Sequence, residues 1–188
     1  MKKIFISLVS LMMIGIAATA QAEIKDEYFS VAPFIGGYVF EGNENRKESA
    51  TAGVRLGYNY TENLVIEGVF NYIPSELEDA PNASTQDVYG LAIEGLYHFM
   101  PDSKLVPFIA LGIGGIHFGS PDNEWNNLAL DYGVGLKYFI KDNIALRADA
   151  RHILSIDNDD RNKRYNNLLI AFGIDFAFDS KKLLAKFS

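Results

Sequence analysis

The sequence contains no cysteine among its 188 residues. This absence excludes a disulfide framework, a thiolate zinc site, a cysteine nucleophile and a lipid-anchored cysteine. Basic residues are also few, since 17 Lys and Arg stand against 24 Asp and Glu and give a formal net charge of -7. Nucleic acid is therefore excluded as a partner class, because phosphate backbones require a basic protein surface.

Long apolar runs are scarce beyond the N-terminal region. The longest candidate extends from Leu105 to Phe118 and is interrupted by Pro107 and three glycines. A membrane-spanning helix needs about 20 consecutive apolar residues, so a helical membrane protein is excluded. However, 48% of the residues are hydrophobic and 13% are aromatic, which is incompatible with a disordered acidic chain. We expect one ordered domain with a sizeable core.

The N-terminal region has the organisation of a secretory signal peptide. Lys2 and Lys3 precede an apolar run over residues 4–18, and the small-residue triplet Ala20-Gln21-Ala22 follows. This order predicts a signal peptide over residues 1–22 that is cleaved after Ala22. A membrane anchor is the alternative, but the run is at the short end of the span range. The mature chain loses two lysines and no acid, so its formal net charge falls from -7 to -9.

Alternation of apolar residues with small or charged residues dominates the remaining chain. In residues 51–60, Val54, Leu56 and Tyr58 share one face, whereas Gly53 and Arg55 share the other. This period of two is typical of β-strands with two different faces. Similar patterns cover residues 64–72, 128–140, 144–152 and 168–178, and less regular ones cover 28–40, 87–99 and 105–118. Eight strands are therefore predicted, with the inward faces of 28–40 and 105–118 left open.

The connections between these segments alternate between long and short. Three short ones, residues 61–63, 101–104 and 141–143, follow the second, fourth and sixth strands. All short turns then lie at one end of an antiparallel meander, and the long loops lie at the other end. The prediction is an all-β, eight-stranded antiparallel up-and-down barrel over residues 23–178, followed by a short tail over residues 179–188.

The composition of the two strand faces predicts the solvent outside this barrel. One face is continuously bulky and apolar, whereas the other holds Gly, Ala and isolated charges. The interior of an eight-stranded barrel is just wide enough for side chains to fill, so the second face suits the inside. The bulky face would then meet lipid, and aromatic residues near both strand ends fit the two membrane interfaces. A soluble barrel is the alternative, but it would expose mainly Gly and Ala to water.

Three segments carry a resemblance to a known family: Gly-Tyr-Asn-Tyr-Thr-Glu-Asn-Leu-Val-Ile-Glu (57–67), Tyr-Phe-Ile-Lys-Asp-Asn-Ile-Ala-Leu-Arg-Ala-Asp-Ala-Arg (138–151) and Phe-Gly-Ile-Asp-Phe-Ala-Phe (172–178). In the order and spacing of these segments, the mature chain resembles the eight-stranded outer-membrane barrels of the OmpA and OmpX type. The resemblance implies a Gram-negative outer membrane, short turns in the periplasm and long loops outside. It also implies contact with outer-membrane lipid and lipopolysaccharide, and insertion by the barrel-assembly machinery.

The last strand carries the assembly signal that this resemblance implies. Members of the family end this strand on an aromatic residue, which Phe178 matches, with Phe176 and Phe172 preceding it on the same face. The sequence departs from the family by its tail, residues 179–188. That tail is too short for the peptidoglycan-binding domain of full-length OmpA-like proteins, so cell-wall anchoring is not implied.

The inward faces predict a cluster of charges in the lumen. The lumen would contain four cations and five anions, and burying a charge without a partner costs free energy. The predicted members are Arg55, Glu67, Glu94, Asp131, Lys137, Arg147, Asp149, Arg151 and Asp175. An ion-paired plug is expected to fill the lumen, and a gated ion path is the alternative reading of the same residues.

Hairpin registers make these pairs specific. A turn centred on Thr61 would set Arg55 opposite Glu67. A turn centred on Asp142 would set Gly133 opposite Arg151 and Gly135 opposite Asp149. If Ile144 and Phe178 are level, Asp175 falls opposite Arg147.

No catalytic, cofactor or metal site is predicted, so the protein is expected not to be an enzyme. His98, His117 and His152 are scattered over three strands, and the spacing of His152 and Ser155 puts them on opposite faces. The expected role is structural support of the envelope or surface interaction, with an extracellular ligand as a candidate partner of the long acidic loops. A narrow channel or small-molecule transporter is the alternative, and a lipid A-modifying enzyme is a weaker one.

We expect the protein to fractionate with the outer membrane and to migrate faster in unheated than in boiled gel samples. The reason is that a closed barrel stays compact in detergent until it is heated. Gel mobility of the membrane fraction tests the closed barrel, and mass analysis of the N-terminus tests the predicted cleavage after Ala22. Identical mobility, or a mature chain that does not begin at Glu23, contradicts the respective prediction.

Overall fold

A computed structural model describes residues 24–40, 48–76, 85–118, 127–157 and 164–181 of the chain. The predicted signal peptide, its cleavage after Ala22 and the tail beyond Lys181 lie outside these residues. The described part contains eight strands: β1 (Tyr28–Val39), β2 (Ser49–Asn59), β3 (Leu64–Glu76), β4 (Thr85–His98), β5 (Leu105–Phe118), β6 (Asn127–Lys141), β7 (Ile144–Asp157) and β8 (Arg164–Asp179).

The eight strands form one closed barrel in which each strand pairs with its sequence neighbours. All pairs are antiparallel, and β1 closes the barrel against β8 through pairs such as Phe29 with Phe178 and Gly37 with Ile170. Closure leaves no strand with an unpaired edge, so the backbone hydrogen bonds are satisfied within the wall. The predicted fold class is therefore confirmed. No helix of the described residues is long and apolar enough to cross a membrane.

Several strands extend further toward the long loops than the alternation predicts. β7 continues to Asp157 and β8 begins at Arg164, so their ladder includes pairs such as Ser155 with Tyr165. The outward residues of these extensions include Arg164 and Asn166, which interrupt the apolar pattern. Backbone pairing does not require apolar side chains, and the sequence pattern therefore ends before the strands do.

Side-chain exposure alternates along the strands as the faces predict. For example, Leu56, Ile66, Ile93 and Phe172 are exposed on the outside, whereas the residues next to each of them along its strand point inward. The two faces left open by the sequence are now assigned. The inward face of β1 carries Ser30, Ala32, Phe34 and Tyr38, and that of β5 carries Val106, Phe108, Ala110, Gly112 and Ile116.

The three short connections lie at one end of the barrel, here called the short-turn end. In the β2–β3 turn, the Leu64 amide donates to the Thr61 hydroxyl at 2.9 Å, and the Tyr60 amide donates to the Leu64 carbonyl at 2.9 Å. In the β6–β7 turn, the register shifts between Phe139 and Lys141, which marks a bulge. These local contacts fix the register of each hairpin.

The closing seam can be tested because the chain has no cysteine of its own. We expect the pair Gly37→Cys and Ile170→Cys to form a disulfide on oxidation, since these outward residues lie directly opposite each other on β1 and β8. Opposed strand residues have the short Cβ separation that a disulfide requires. The control pair Gly37→Cys and Phe172→Cys is offset by two residues and should cross-link poorly. Equal cross-linking of both pairs, measured by mass spectrometry, contradicts this register.

Candidate functional site: the filled lumen

The structure places all nine predicted lumen charges inside the barrel wall. Each of them is at most 5% exposed. Arg55, Arg147 and Arg151 are among the largest fully buried side chains of the described residues. A buried guanidinium is tolerated only when carboxylates and hydrogen bonds compensate its lost hydration.

Arg147 on β7 lies at the centre of the network. Its Nη1 and Nη2 donate to the two carboxylate oxygens of Glu67 at 2.8 and 3.0 Å, a bidentate pair between β7 and β3 across the lumen. Its Nε donates to Oδ2 of Asp149 at 3.1 Å. One guanidinium therefore binds carboxylates on two strands, in the planar geometry that makes Arg–carboxylate pairs specific.

Asp149 joins two further arginines to this centre. Its Oδ1 accepts from Nη2 of Arg55 at 2.9 Å and from Nε of Arg151 at 3.1 Å. Arg151 in turn lies 2.9 Å from Glu94 on β4. The network thus connects β2, β3, β4 and β7, which surround the lumen.

A separate ion pair lies nearer the short-turn end. Nζ of Lys137 on β6 is 2.7 Å from Oδ2 of Asp175 on β8. Both side chains are nearly inaccessible, at 5% and 6% exposed. These ion pairs join the four lumen cations to four of the carboxylates, and the fifth carboxylate, Asp131, takes part in none of the pairs among the described residues.

Two of the predicted registers are wrong and two are correct. Arg55 lies opposite Val69, and Glu67 lies opposite Gly57, because the β2–β3 hairpin is centred one position later, on Glu62. Gly133 opposes Arg151 and Gly135 opposes Asp149, as expected.

The β7–β8 register also differs from its prediction. Ile144 is level with Phe176 rather than Phe178, so Asp175 lies opposite Ala145 and not opposite Arg147. Asp175 pairs with Lys137 instead. Both differences come from turn and seam geometry, which the side-chain alternation does not fix, because a shift of two residues preserves every face.

Glycines on the inner wall make room for the long charged side chains. A Cβ on Gly133 would lie 2.6 Å from Cδ of Arg151. A Cβ on Gly112 would lie 2.4 Å from Oδ2 of Asp131 and 2.7 Å from Cγ of Glu94. All three contacts are shorter than van der Waals contact allows, so these inward positions require the absence of a side chain.

Two aromatic rings pack against the arginines, an arrangement that the strand alternation does not predict. The guanidinium carbon of Arg55 is 3.9 Å from the ring centre of Phe34, and that of Arg147 is 4.8 Å from the ring centre of Phe108. Cation–π contacts of this kind are stronger where water is excluded. Phe34 and Phe108 belong to the two strands whose faces the sequence left open.

The charged layer lies between apolar layers. Toward the long loops, the lumen is filled by a cluster of buried apolar residues contributed by six strands and by Phe40, which directly follows β1: Phe34, Tyr38, Phe40, Val69, Ile73, Val88, Ile116, Ala129, Leu169 and Ala171. Toward the short turns it is filled by Val65, Leu96, Phe108 and Ala110, with Ile24, Val106, Phe139 and Ala145 below them. The lumen therefore holds the expected charges and, on both sides of the Arg147 network, clusters of apolar side chains.

The segment before β1 covers the short-turn end of the lumen. Ile24 is 4% exposed and packs in the same apolar cluster as Val106 and Phe139. Its amide donates to the Pro101 carbonyl at 3.1 Å, and the Asn59 side-chain amide donates to the Lys25 carbonyl at 3.0 Å. These hydrogen bonds hold the Ile24 side chain against the short-turn end of the lumen.

The remaining candidate residues do not assemble into a second site. His98 is buried inside the barrel against Phe108, with ring centres 5.6 Å apart. His152 packs on Tyr132 at the outer surface, whereas Ser155 is fully buried inside. The outward aromatics Phe172 and Phe178 are exposed, and Phe176 is half-buried on the same face. Among the described residues, no group of His, Asp and Glu could hold a metal ion.

Removal of the central guanidinium should destabilise the barrel strongly. We expect Arg147→Met to lower the free energy of unfolding by about 3–5 kcal/mol, because Glu67 is left as a buried, uncompensated anion. Denaturant unfolding in detergent measures this change. Arg164→Met, at an exposed position of β8, is the matched control and should change the value by less than about 0.5 kcal/mol. Equal effects of both substitutions contradict the central role of Arg147.

The chain matches the family described as "Outer membrane protein beta-barrel domain" over residues 7–178. No curated protein sequence matches it significantly. Among solved structures, it is similar to Neisserial surface protein A, with a TM-score of 0.64 and 14% identity over 81% of this chain and 98% of that one. The N-terminal barrel domain of OprF from Pseudomonas aeruginosa gives a TM-score of 0.55 and 16% identity, with 81% and 98% covered.

OprG from Pseudomonas aeruginosa gives a TM-score of 0.54 and 10% identity, with 85% of this chain and 99% of that one covered. At such identities these likenesses show the shared barrel fold. The family match covers nearly the whole chain and agrees with the closed barrel and its apolar outer face. The chain belongs to the outer membrane protein β-barrel family.

Proposed function

We propose that the protein is a closed, non-conducting barrel that serves the Gram-negative outer membrane structurally or through its surface. The observation that carries this proposal is the filling of the lumen by an ion-paired layer between two apolar layers. An ion that crosses would have to break the Arg147–Glu67 pair and also pass the buried apolar side chains on both sides of it. The narrow channel is therefore the less favoured reading.

The cavities inside the barrel support closure. Beside Glu94, Asp131 and Arg151 lies a cavity of about 50 Å³. The recess at the short-turn mouth, next to Ile24, measures about 20 Å³. A buried water occupies about 10–15 Å³ on this measure, so the larger cavity holds only a few waters. A continuous water column does not fit in these spaces.

The orientation and biogenesis of the barrel form part of the same proposal. The predicted signal peptide would direct export, and the outward aromatic end of β8 at Phe178 would be read by the barrel-assembly machinery. The short turns would face the periplasm and the long loops the exterior. The exposed apolar wall would contact lipid and lipopolysaccharide, and the acidic long loops would present the surface available to an extracellular ligand.

A non-enzymatic role fits the placement of the side chains that hydrolysis would need. His152 is on the outer surface and Ser155 is buried in the lumen, so they cannot act on the same bond. His98 is enclosed next to Phe108, away from both. His152 and Ser155, the pair that the sequence offers for hydrolysis, are therefore separated by the barrel wall.

The proposal predicts no steady current from the wild-type protein in a planar lipid bilayer. We expect no protein-dependent current at about 100 mV, a voltage comparable to a cellular membrane potential. A stable open-state current through the wild-type barrel would contradict the closed lumen.

The paired variant Glu67→Ser, Arg147→Ser provides the comparison. It removes both partners of the bidentate pair, and Asp149 keeps its contacts with Arg55 and Arg151, so we expect heat-modifiable mobility to be retained. Any current should arise in this variant and not in the wild type, because the two long side chains no longer fill the charged layer.

A further inference from the structure

The lipid-facing wall carries an apolar groove that the closed lumen does not explain. The groove encloses about 620 Å³ and crosses β5 to β8. Its lining includes Met100, Pro107, Leu136, Ala148 and Phe172. It shares no lining residue with the two cavities of the lumen.

Side-chain size explains why the wall is hollow there. Ala148 and Ala150 are consecutive outward residues of β7, where most outward positions of the barrel carry larger side chains. Ala148 lies between Leu136 on β6 and Phe172 on β8. The alanines therefore form a floor between higher apolar side chains. The other face of the same stretch of β7 holds Arg147, Asp149 and Arg151 of the lumen network.

The groove begins at the short-turn end and reaches the middle of the wall. Met100 and Leu105 flank the β4–β5 turn at one end, and Ile170 lies near the middle of β8 at the other. The surrounding outward residues are exposed and apolar, for example Ile109 and Val134. At this depth of a membrane the surrounding medium is hydrocarbon. The shape and position match a single acyl chain that enters from the leaflet on the short-turn side.

A cation directly precedes Leu105, which lines the short-turn end of the groove. Lys104 belongs to the turn between Met100 and Leu105, and its Nζ lies 5.2 Å from the ring centre of Tyr138 on the outer face of β6. No ion pair to Lys104 is found within the described part of the chain. Its charge therefore remains available to an anionic headgroup at the membrane interface.

We propose that this groove binds one glycerophospholipid of the periplasmic leaflet. One acyl chain lies on the Ala148–Ala150 floor, and the phosphate of the headgroup pairs with Lys104. Binding in this groove does not depend on whether the lumen is closed. The assignment to the periplasmic leaflet rests on the barrel orientation proposed above.

A second groove on the wall provides an internal comparison. It measures about 430 Å³ and lies over Gly95 of β4, between Ile66 and Leu111. Its end at the short turns is flanked by Tyr60 and Leu64, and the turn between them carries Glu62 instead of a lysine. This turn offers no cation to a phosphate, so this groove should hold acyl chains without retaining an anionic lipid.

Native mass spectrometry of the full-length mature protein tests the proposal. The protein is released from detergent micelles that contain phosphatidylglycerol, and the fraction that carries one bound lipid is measured. We expect Ala148→Leu with Ala150→Leu to reduce that fraction at least tenfold. We expect Lys104→Gln to reduce it about fivefold, the value of one interfacial cation. Gly95→Leu, which fills the comparison groove, should leave it unchanged.

The opposite results are equally defined. Equal retention by the alanine double variant and the wild type overturns the groove as a site, as does an equal loss in Gly95→Leu. A bound second copy of the chain in place of lipid overturns the choice of occupant. Unchanged retention in Lys104→Gln overturns the phosphate contact. Heat-modifiable mobility verifies the fold of each variant, and a current through the wild type would refute the closed lumen without affecting these outcomes.

Discussion

The pairing of buried charges in the lumen is the interaction on which the rest of the structure depends. Arg147 binds Glu67 across 80 residues of sequence, and Arg55 binds Asp149 across 94. Neither pair can form until the strands between them are in register, and a barrel in the wrong register would leave charges buried alone. The network therefore couples barrel closure to one specific alignment of β2, β3 and β7.

The two faces of β7 connect the inside of this wall to its outside. Inward, Arg147, Asp149 and Arg151 occupy three alternate positions; outward, Ala148 and Ala150 occupy the positions between them. The inner series supplies charge for pairing, and the outer series leaves space in the lipid-facing surface. A mean hydropathy of only +0.01 is the average over these opposed environments and does not describe either of them.

The barrel, its eight strands and the identity of the lumen charges could be predicted from alternation, because a residue's face depends only on its parity along the strand. Register could not, since a shift of two residues preserves parity; Glu67 and Asp175 were consequently assigned wrong partners. Alternation could not place Phe34 and Phe108 inside the lumen, because they lie on strands whose two faces are similarly apolar. The grooves depend on neighbours across three or four strands, so they became visible only in the assembled wall.

Water access to the centre of the lumen tests this account most directly. In the barrel reconstituted with nitrogen-15-labelled arginine, NMR can follow exchange of the side-chain Nε proton of Arg147, which is donated to Asp149. A dry, ion-paired layer predicts exchange far slower than that of the exposed Arg164 Nε proton. Exchange at the same rate at both positions would show that water reaches Arg147 freely, and would contradict a closed lumen.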